Sequence, residues 1–141
     1  MQQLSAAEAR AFLLAQPRTA KLATVRADGR PHVAPVWFDL DGDDLFFTTG
    51  HATVKAANLR RDPRVCLCVD DEAPPFAFVI VEGSAVLSED LGELRRWATR
   101  IAGRYMGADL AEAYGRRNGV PGEVLVRVTP TRVIGQADIA G

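Results

Sequence analysis

Several residue types are scarce in this sequence, and each scarcity removes a class of function. The 141 residues include two cysteines (Cys66, Cys68) and two histidines (His32, His51), and of the 17 basic residues only Lys21 and Lys55 are lysine. Cys66 and Cys68 stand two apart in Val65-Cys66-Leu67-Cys68-Val69. On a strand such positions share a face, so the pair reads as two small buried hydrophobes. A C-x-C pair without a third cysteine or a nearby histidine is a poor zinc site. The histidines lie too far apart in sequence to suggest a metal centre, and no metal is expected. The motifs G-x-S-x-G, H-E-x-x-H and the Walker lysine loop are all missing, so nothing points to hydrolysis by protein side chains. No run of about 18 apolar residues occurs, and a membrane span is not expected. The opening Met1-Gln2-Gln3-Leu4-Ser5 has neither a basic nor an apolar leader region, which makes the cytoplasm the expected compartment. The formal net charge is −1, which offers no electrostatic footprint for nucleic acid. Any phosphate this chain holds must be gripped locally.

What is present is an ordinary globular composition, 48% apolar and 25% charged, of a length that suits one domain over 1–141. Ser5-Ala6-Ala7-Glu8 has capping-box spacing, and a helix from there is stopped by Pro17. It is expected to lie as a lid over a barrel end. Strands are expected at 19–25, 31–38, 45–49, 64–70, 76–87 and 123–128, the last extended or followed by 131–135. Asp28-Gly29 supplies a hairpin turn, and 39–44 reads as another turn. Pro35 within the second strand predicts an edge position or a bulge. Gly83 within the fifth predicts a bulge or barrel corner. Thr53 to Arg61 reads as a short helix closed by Asp62-Pro63. Leu91, Leu94, Ala98, Ile101 and Tyr105 form one helical face, with Arg95, Arg96, Arg100 and Arg104 on or near the other. A short helix is expected at 108–114 and a loop at 116–122. Several strands are apolar on both faces, which predicts that a second subunit covers part of the sheet.

The segment with chemical potential is Phe47-Thr48-Thr49-Gly50-His51-Ala52-Thr53-Val54-Lys55, a strand, a short loop and a helix start. The first turn of a helix has unpaired N–H groups and the positive end of the dipole, so it can bind phosphate. Thr48, Thr49 and Thr53 could add hydroxyl donors, and Lys55 a compact ammonium. The plainer reading is equally open at this level: Thr53 as an N-cap and Lys55 as a solvated helix lysine. His51 reads as a surface loop residue, or as a proton source if it lies near a site. Trp37 could be core or ligand-facing.

The order hairpin, strand-Thr-Thr-Gly, x-Thr-x-Lys-x-x-Asn-Leu-Arg-Arg-Asp-Pro, apolar strand, then Val81-Glu82-Gly83-Ser84-Ala85 and Arg132-Val133-Ile134-Gly135, resembles the pyridoxamine 5′-phosphate oxidase-like split β-barrels. The stretch from Leu22-Ala23-Thr24-Val25 to Gly29-Arg30-Pro31-His32 is similar to the subset that uses the deazaflavin coenzyme F420. The resemblance spans roughly residues 8–138. It implies a six-stranded antiparallel split barrel with peripheral helices, working as a homodimer with its site at the subunit interface. It also implies that the coenzyme phosphate lies at Thr53, Val54 and Lys55, with Thr48 and Thr49 leading in. The ring would lie along Pro35, Val36 and Trp37, and Phe76 and Phe78 would belong to the partner-facing side. The expected activity is hydride transfer from reduced F420 to an activated C=C or C=N of a small organic substrate, the coenzyme carrying the chemistry. FMN is the alternative coenzyme. A full pyridoxamine-phosphate oxidase is disfavoured, because the ending Gly135-Gln136-Ala137-Asp138-Ile139-Ala140-Gly141 lacks the arginine/histidine substrate motif of those enzymes. A non-catalytic coenzyme-binding module and a barrel without a ligand are further alternatives.

Overall fold

A computed structural model describes residues 1–141. In chain order its elements are β1 (Gln2–Gln3), α1 (Ala6–Ala15), β2 (Ala20–Val25), β3 (Pro31–Val36), β4 (Asp39–Asp41), β5 (Asp44–Gly50), α2 (Val54–Arg61), β6 (Arg64–Asp71), β7 (Ala77–Ser88), α3 (Leu91–Met106), α4 (Ala111–Asn118) and β8 (Glu123–Ala137). A single 3-10 turn, Ala108–Leu110, joins α3 to α4.

All strands pair antiparallel in one sheet, in the order β3-β2-β6-β7-β8-β5-β4, with β1 added against β8. The two ends of that path, β3 and β4, are consecutive in sequence and separated only by Trp37 and Phe38. The sheet therefore curls until its edges are joined by chain rather than by a hydrogen-bond ladder, which is a split barrel. There are eight strands rather than the expected six. One addition is the two-residue β1. The other is β4, where a turn was expected: Asp39 and Asp41 flank buried Leu40, and the alternation suffices for a three-residue rung on β5. The expected pair of C-terminal segments is a single 15-residue strand, β8.

Alternation fills the barrel. Ala20, Leu22 and Thr24 of β2 and Val65, Leu67 and Val69 of β6 point inward and are buried. All but Thr24 join Phe47, Val79, Val81, Val124, Val126 and Val128 in a cluster of 20 buried side chains, which Ala9 and Leu13 of α1 complete. The capping box forms as expected: the Glu8 N–H donates to Ser5 Oγ, and the Ser5 N–H donates to Glu8 Oε1.

The corner at Gly83 is enforced by contact. The β7–β8 register shifts between Glu82 and Gly83, and a Cβ at position 83 would stand 2.5 Å from the Thr129 carbonyl oxygen. Pro35 sits, as expected, on an edge strand, since β3 ends the sheet.

Helix α3 departs from the expected faces. Trp97 is its most bulky buried residue and stacks on Phe46 at 3.9 Å between ring centroids, whereas Leu91 is exposed. Arg104 does not face solvent. It donates to the carbonyls of Leu13, Gln16 and Phe38, two of which lie at the end of α1, where carbonyls lack helical partners. Helix α4 runs on to Asn118 where a loop was expected. Gly115 lets it approach α3 so closely that a Cβ there would overlap Thr99 Oγ1.

Cys66 and Cys68 are not core residues. They alternate with the buried Val65, Leu67 and Val69 and lie half-buried on the outward face, unpaired. Burial is the largest influence on both thiols and pushes their pKa values up. The strand register places them in an outward apolar tract with Val33, Ala23, Ile80 and Ile134, bordered by the Lys21–Asp70 ion pair at 2.9 Å. No helix is long and apolar enough to cross a membrane.

Candidate functional site

The end of β5, the start of α2, the end of β3 and the inner face of α3 surround one cavity of about 390 Å³. That volume is within the range of small-ligand pockets. Helix α2 is fixed there by its opposite face. Ala56, Asn58 and Leu59 are buried against the barrel, the Asn58 amide donates to Thr24 Oγ1 at 2.9 Å, and Arg61 donates to the Val25 carbonyl. The helix start is thereby aimed at the cavity by its docking on β2.

Seven of the nine sequence-level candidates line this cavity: Pro35, Val36, Trp37, Thr48, Thr49, Thr53 and Lys55. Val54 does not. Its side chain is exposed and the residue is not part of the lining, although its backbone N–H, as a first-turn amide, has no helical partner. Phe78 is also outside. It lies half-buried near the start of β7, opposite Asp70 and Gln136, and strand parity turns it outward beside buried Val79.

The threonines are not equivalent donors. Thr53 Oγ1 donates its one proton to the Gly50 carbonyl at 2.9 Å and accepts from the Ala56 N–H at 3.2 Å, as an N-cap does. Thr49 Oγ1 lies 3.0 Å from Thr53 Oγ1. Because the Thr53 proton is already committed, Thr49 must donate in that pair. The two hydroxyls are thus consumed by the cap. Each hydroxyl has one proton, and in this arrangement each is engaged locally although both residues line the cavity. The groups left free are the amides of Val54 and Lys55, the Thr48 hydroxyl and the Lys55 ammonium, which makes no hydrogen bond or ion pair within the chain.

At the other side, Trp37 stacks on Tyr105 with ring centroids 5.0 Å apart and planes 5° from parallel. Tyr105 is held in turn: its hydroxyl donates to the Arg18 carbonyl at 2.7 Å and accepts from the Phe38 N–H at 3.2 Å. Burial raises the Tyr105 pKa, partly offset by the bond from Phe38. One ring face of Trp37 is thus backed by Tyr105, and the residue stays 36% exposed. Since β3 is an edge strand, backbone groups on its free side are also available to a ligand.

Six lining residues escaped the sequence: Gly50, Ala98, Ile101, Ala102, Asn118 and Glu123. Ala98 and Ile101 are visible in the apolar stripe of α3, but an apolar stripe does not distinguish residues that border space from residues that fill it. His51 lies elsewhere. Its ring Nδ1 is 2.8 Å from the Gly122 carbonyl, and it borders a separate surface depression.

A split barrel whose cavity is lined by an unpaired ammonium beside a helix start and by an aromatic ring backed from behind is built to accept a small anionic ligand with a planar part. The sequence profile of pyridoxamine 5′-phosphate oxidase matches residues 5–137, and the chain belongs to that family. It is 33% identical over 135 residues to an F420H(2)-dependent biliverdin reductase from Mycobacterium tuberculosis (strain CDC 1551 / Oshkosh), covering 94% of this chain and 88% of the relative. Among solved structures, a conserved hypothetical protein from Mycobacterium tuberculosis superposes with a TM-score of 0.83 at 28% identity, covering 96% of this chain and 86% of the other. A structure described as an F420 reductase superposes with a TM-score of 0.70 at 30% identity, covering 87% and 94%.

Proposed function

We propose that this chain is an F420-dependent reductase of small organic molecules, built as one split-barrel domain. The observation that carries the reading is the cavity itself. It joins the free Lys55 ammonium and the open amides of Val54 and Lys55 to the exposed face of Trp37, in a chain one third identical to an enzyme named for this coenzyme. These residues fit the group. An anion is met by charge and N–H donors that nothing else in the chain uses, and a flat ring is met by an aromatic plate fixed from behind.

In this reading Lys55, the two amides and the Thr48 hydroxyl hold the coenzyme phosphate. Thr53 and Thr49 hold the helix start in place. Trp37, kept planar by Tyr105, orients the ring, while Pro35 and Val36 keep water from its edge. The chemistry supplied by the reduced deazaflavin, when bound, is hydride delivery to an electron-poor C=C or C=N. The absence of a triad among the lining residues accords with a protein that binds and orients while the coenzyme reacts.

The proposal includes a homodimer. The outward tract of Val33, Ala23, Cys66, Cys68, Ile80 and Ile134 is the surface a second copy would cover, and Phe78 lies on the same side of the sheet. It also includes a cytoplasmic location, which two unpaired cysteines suit.

Parallel fluorescence titrations with F420 and FMN test the reading, followed by anaerobic turnover of reduced F420 against enones, imines, quinones and biliverdin. F420 binding with oxidation by at least one acceptor is the expected result. Tight FMN binding with no F420 binding refutes it, and F420 binding without turnover on any acceptor reassigns the chain as a carrier. Sedimentation at micromolar concentration should show a dimer, and a monomer there rejects the shared site.

A further inference from the structure

The cavity holds a second free charge that the reading above does not use. Glu123 is the first residue of β8, directly opposite Gly50 in the β5–β8 ladder, and its N–H is tied to the Val120 carbonyl. Glu123 lines the same cavity as Lys55 and also borders the depression beside His51, and its carboxylate is in no ion pair and accepts no hydrogen bond. Gly50 brings it close to the cap. A Cβ at position 50 would stand 3.9 Å from Glu123 Oε2 and 3.4 Å from Thr53 Cγ2. A carboxylate therefore stands beside the helix start, where an anionic ligand is expected.

We propose that Glu123 is a specificity-determining residue that selects a phosphodiester over a phosphomonoester at this position. The inference rests on the coenzyme reading above and deepens it. The lining offers one ammonium and one carboxylate, with no arginine. To these the helix start adds a partial positive charge of about half a unit. The sum over these lining groups is therefore weakly positive, with the Arg60 guanidinium outside the lining on the His51 carbonyl. A diester such as the phosphate of F420 brings one negative charge. A monoester such as that of FMN brings about −1.5 to −2 at neutral pH. Coulomb energy scales with the product of the charges, so Glu123 opposes the monoester up to twice as strongly in the logarithm of affinity. Lys55 and the amides attract both, and Glu123 sets the limit on how much charge is accepted. A bland role is also defined: a carboxylate near a helix N-terminus stabilises the dipole, and that role would change folding stability without changing the preference between ligands.

The test is direct binding of F420 and of FMN, by fluorescence titration at fixed ionic strength, to the wild-type chain, Glu123→Gln and Glu123→Ala. Thermal melts of all three establish that the variants are folded, and the half-exposed strand-start position makes two independent neutral replacements practical. F420 affinity should rise about fivefold and FMN affinity by about the square of that factor, shifting the ratio about fivefold toward FMN in both variants. An equal change for both coenzymes, or no change in either folded variant, overturns the proposal. Failure of the wild-type chain to bind either coenzyme is a different result, and it overturns the functional reading beneath it.

Discussion

Lys55 and Thr53 stand two residues apart at one helix start, and the structure assigns them opposite consequences when removed. Lys55→Ala deletes an ammonium that has no partner in the chain, so no native interaction is lost and the helix gains a better helix former. The melting temperature should stay within about a degree or two. Coenzyme binding should weaken by about 1.5–3 kcal/mol, the scale of a charge-assisted hydrogen bond. That is roughly 10- to 150-fold in Kd. Thr53→Ala does the reverse. It removes the acceptor of the Ala56 N–H and the donor to the Gly50 carbonyl, and it leaves Thr49 without its acceptor. Loss of an N-cap costs about 1 kcal/mol, with a ceiling near 2. Binding should follow only as far as the helix start frays. The assay pairs urea denaturation with fluorescence titration of F420 on both variants. If Lys55→Ala destabilises the fold while leaving affinity intact, or if Thr53→Ala loses affinity as strongly as Lys55→Ala with unchanged stability, the division of labour described here is wrong.

Four further outcomes are expected. Burial raises the pKa values of Tyr105, Cys66 and Cys68, so each keeps its proton longer in the folded chain than in the unfolded one. The stability they lend is complete below their ordinary values and is lost as pH rises through the higher folded ones. Urea midpoints should therefore be flat near pH 7 and decline above about pH 8.5–9, and Tyr105→Phe should remove only the part of the decline above about pH 10. Tyr105→Phe should also cost about 1–3 kcal/mol at neutral pH, since the Phe38 N–H loses its acceptor. A variant with unaltered alkaline unfolding refutes that assignment. Iodoacetamide should label Cys66 and Cys68 several-fold more slowly than in the urea-unfolded chain, and mass spectrometry showing equal rates contradicts their half-buried placement. Gly83→Ala should destabilise the barrel by about 1–3 kcal/mol, because the neighbouring group is the Thr129 backbone and cannot rotate away. A midpoint within error of wild type removes the corner argument.

The local parts of this molecule were legible in its sequence, because they are fixed by short spacings. Ser5 and Glu8 close a capping box three residues apart, Thr53 caps α2 in the same way, and Pro35 correctly marks an edge strand. The run Val65 to Val69 does not say which of its side chains enter the barrel, and Cys66 and Cys68 read as buried when they face outward, because a strand that is apolar on both faces carries no parity signal. The run 39–44 reads as a turn, but its middle is recruited as a rung only once β5 is beside it. Arg104 fits a solvent-facing pattern along α3 and is drawn in to a half-buried position only because the carbonyls at the end of α1 arrive 88–91 residues away.

The sequence by itself determined the family pattern, the helix start at Thr53 and the one lysine beside it, since each depends on neighbours within a turn of chain. Tertiary structure alone decided what the cavity is. Curling of the sheet brings β3 to α3 and stacks Trp37 on Tyr105, and the β5–β8 register sets Glu123 opposite Gly50. Capping geometry spends the protons of Thr49 and Thr53 and leaves that of Thr48 free. The physical reason is that charge, donor count and open ring faces at a site are properties of what remains after every other group has found its partner. That remainder exists only once the barrel has closed.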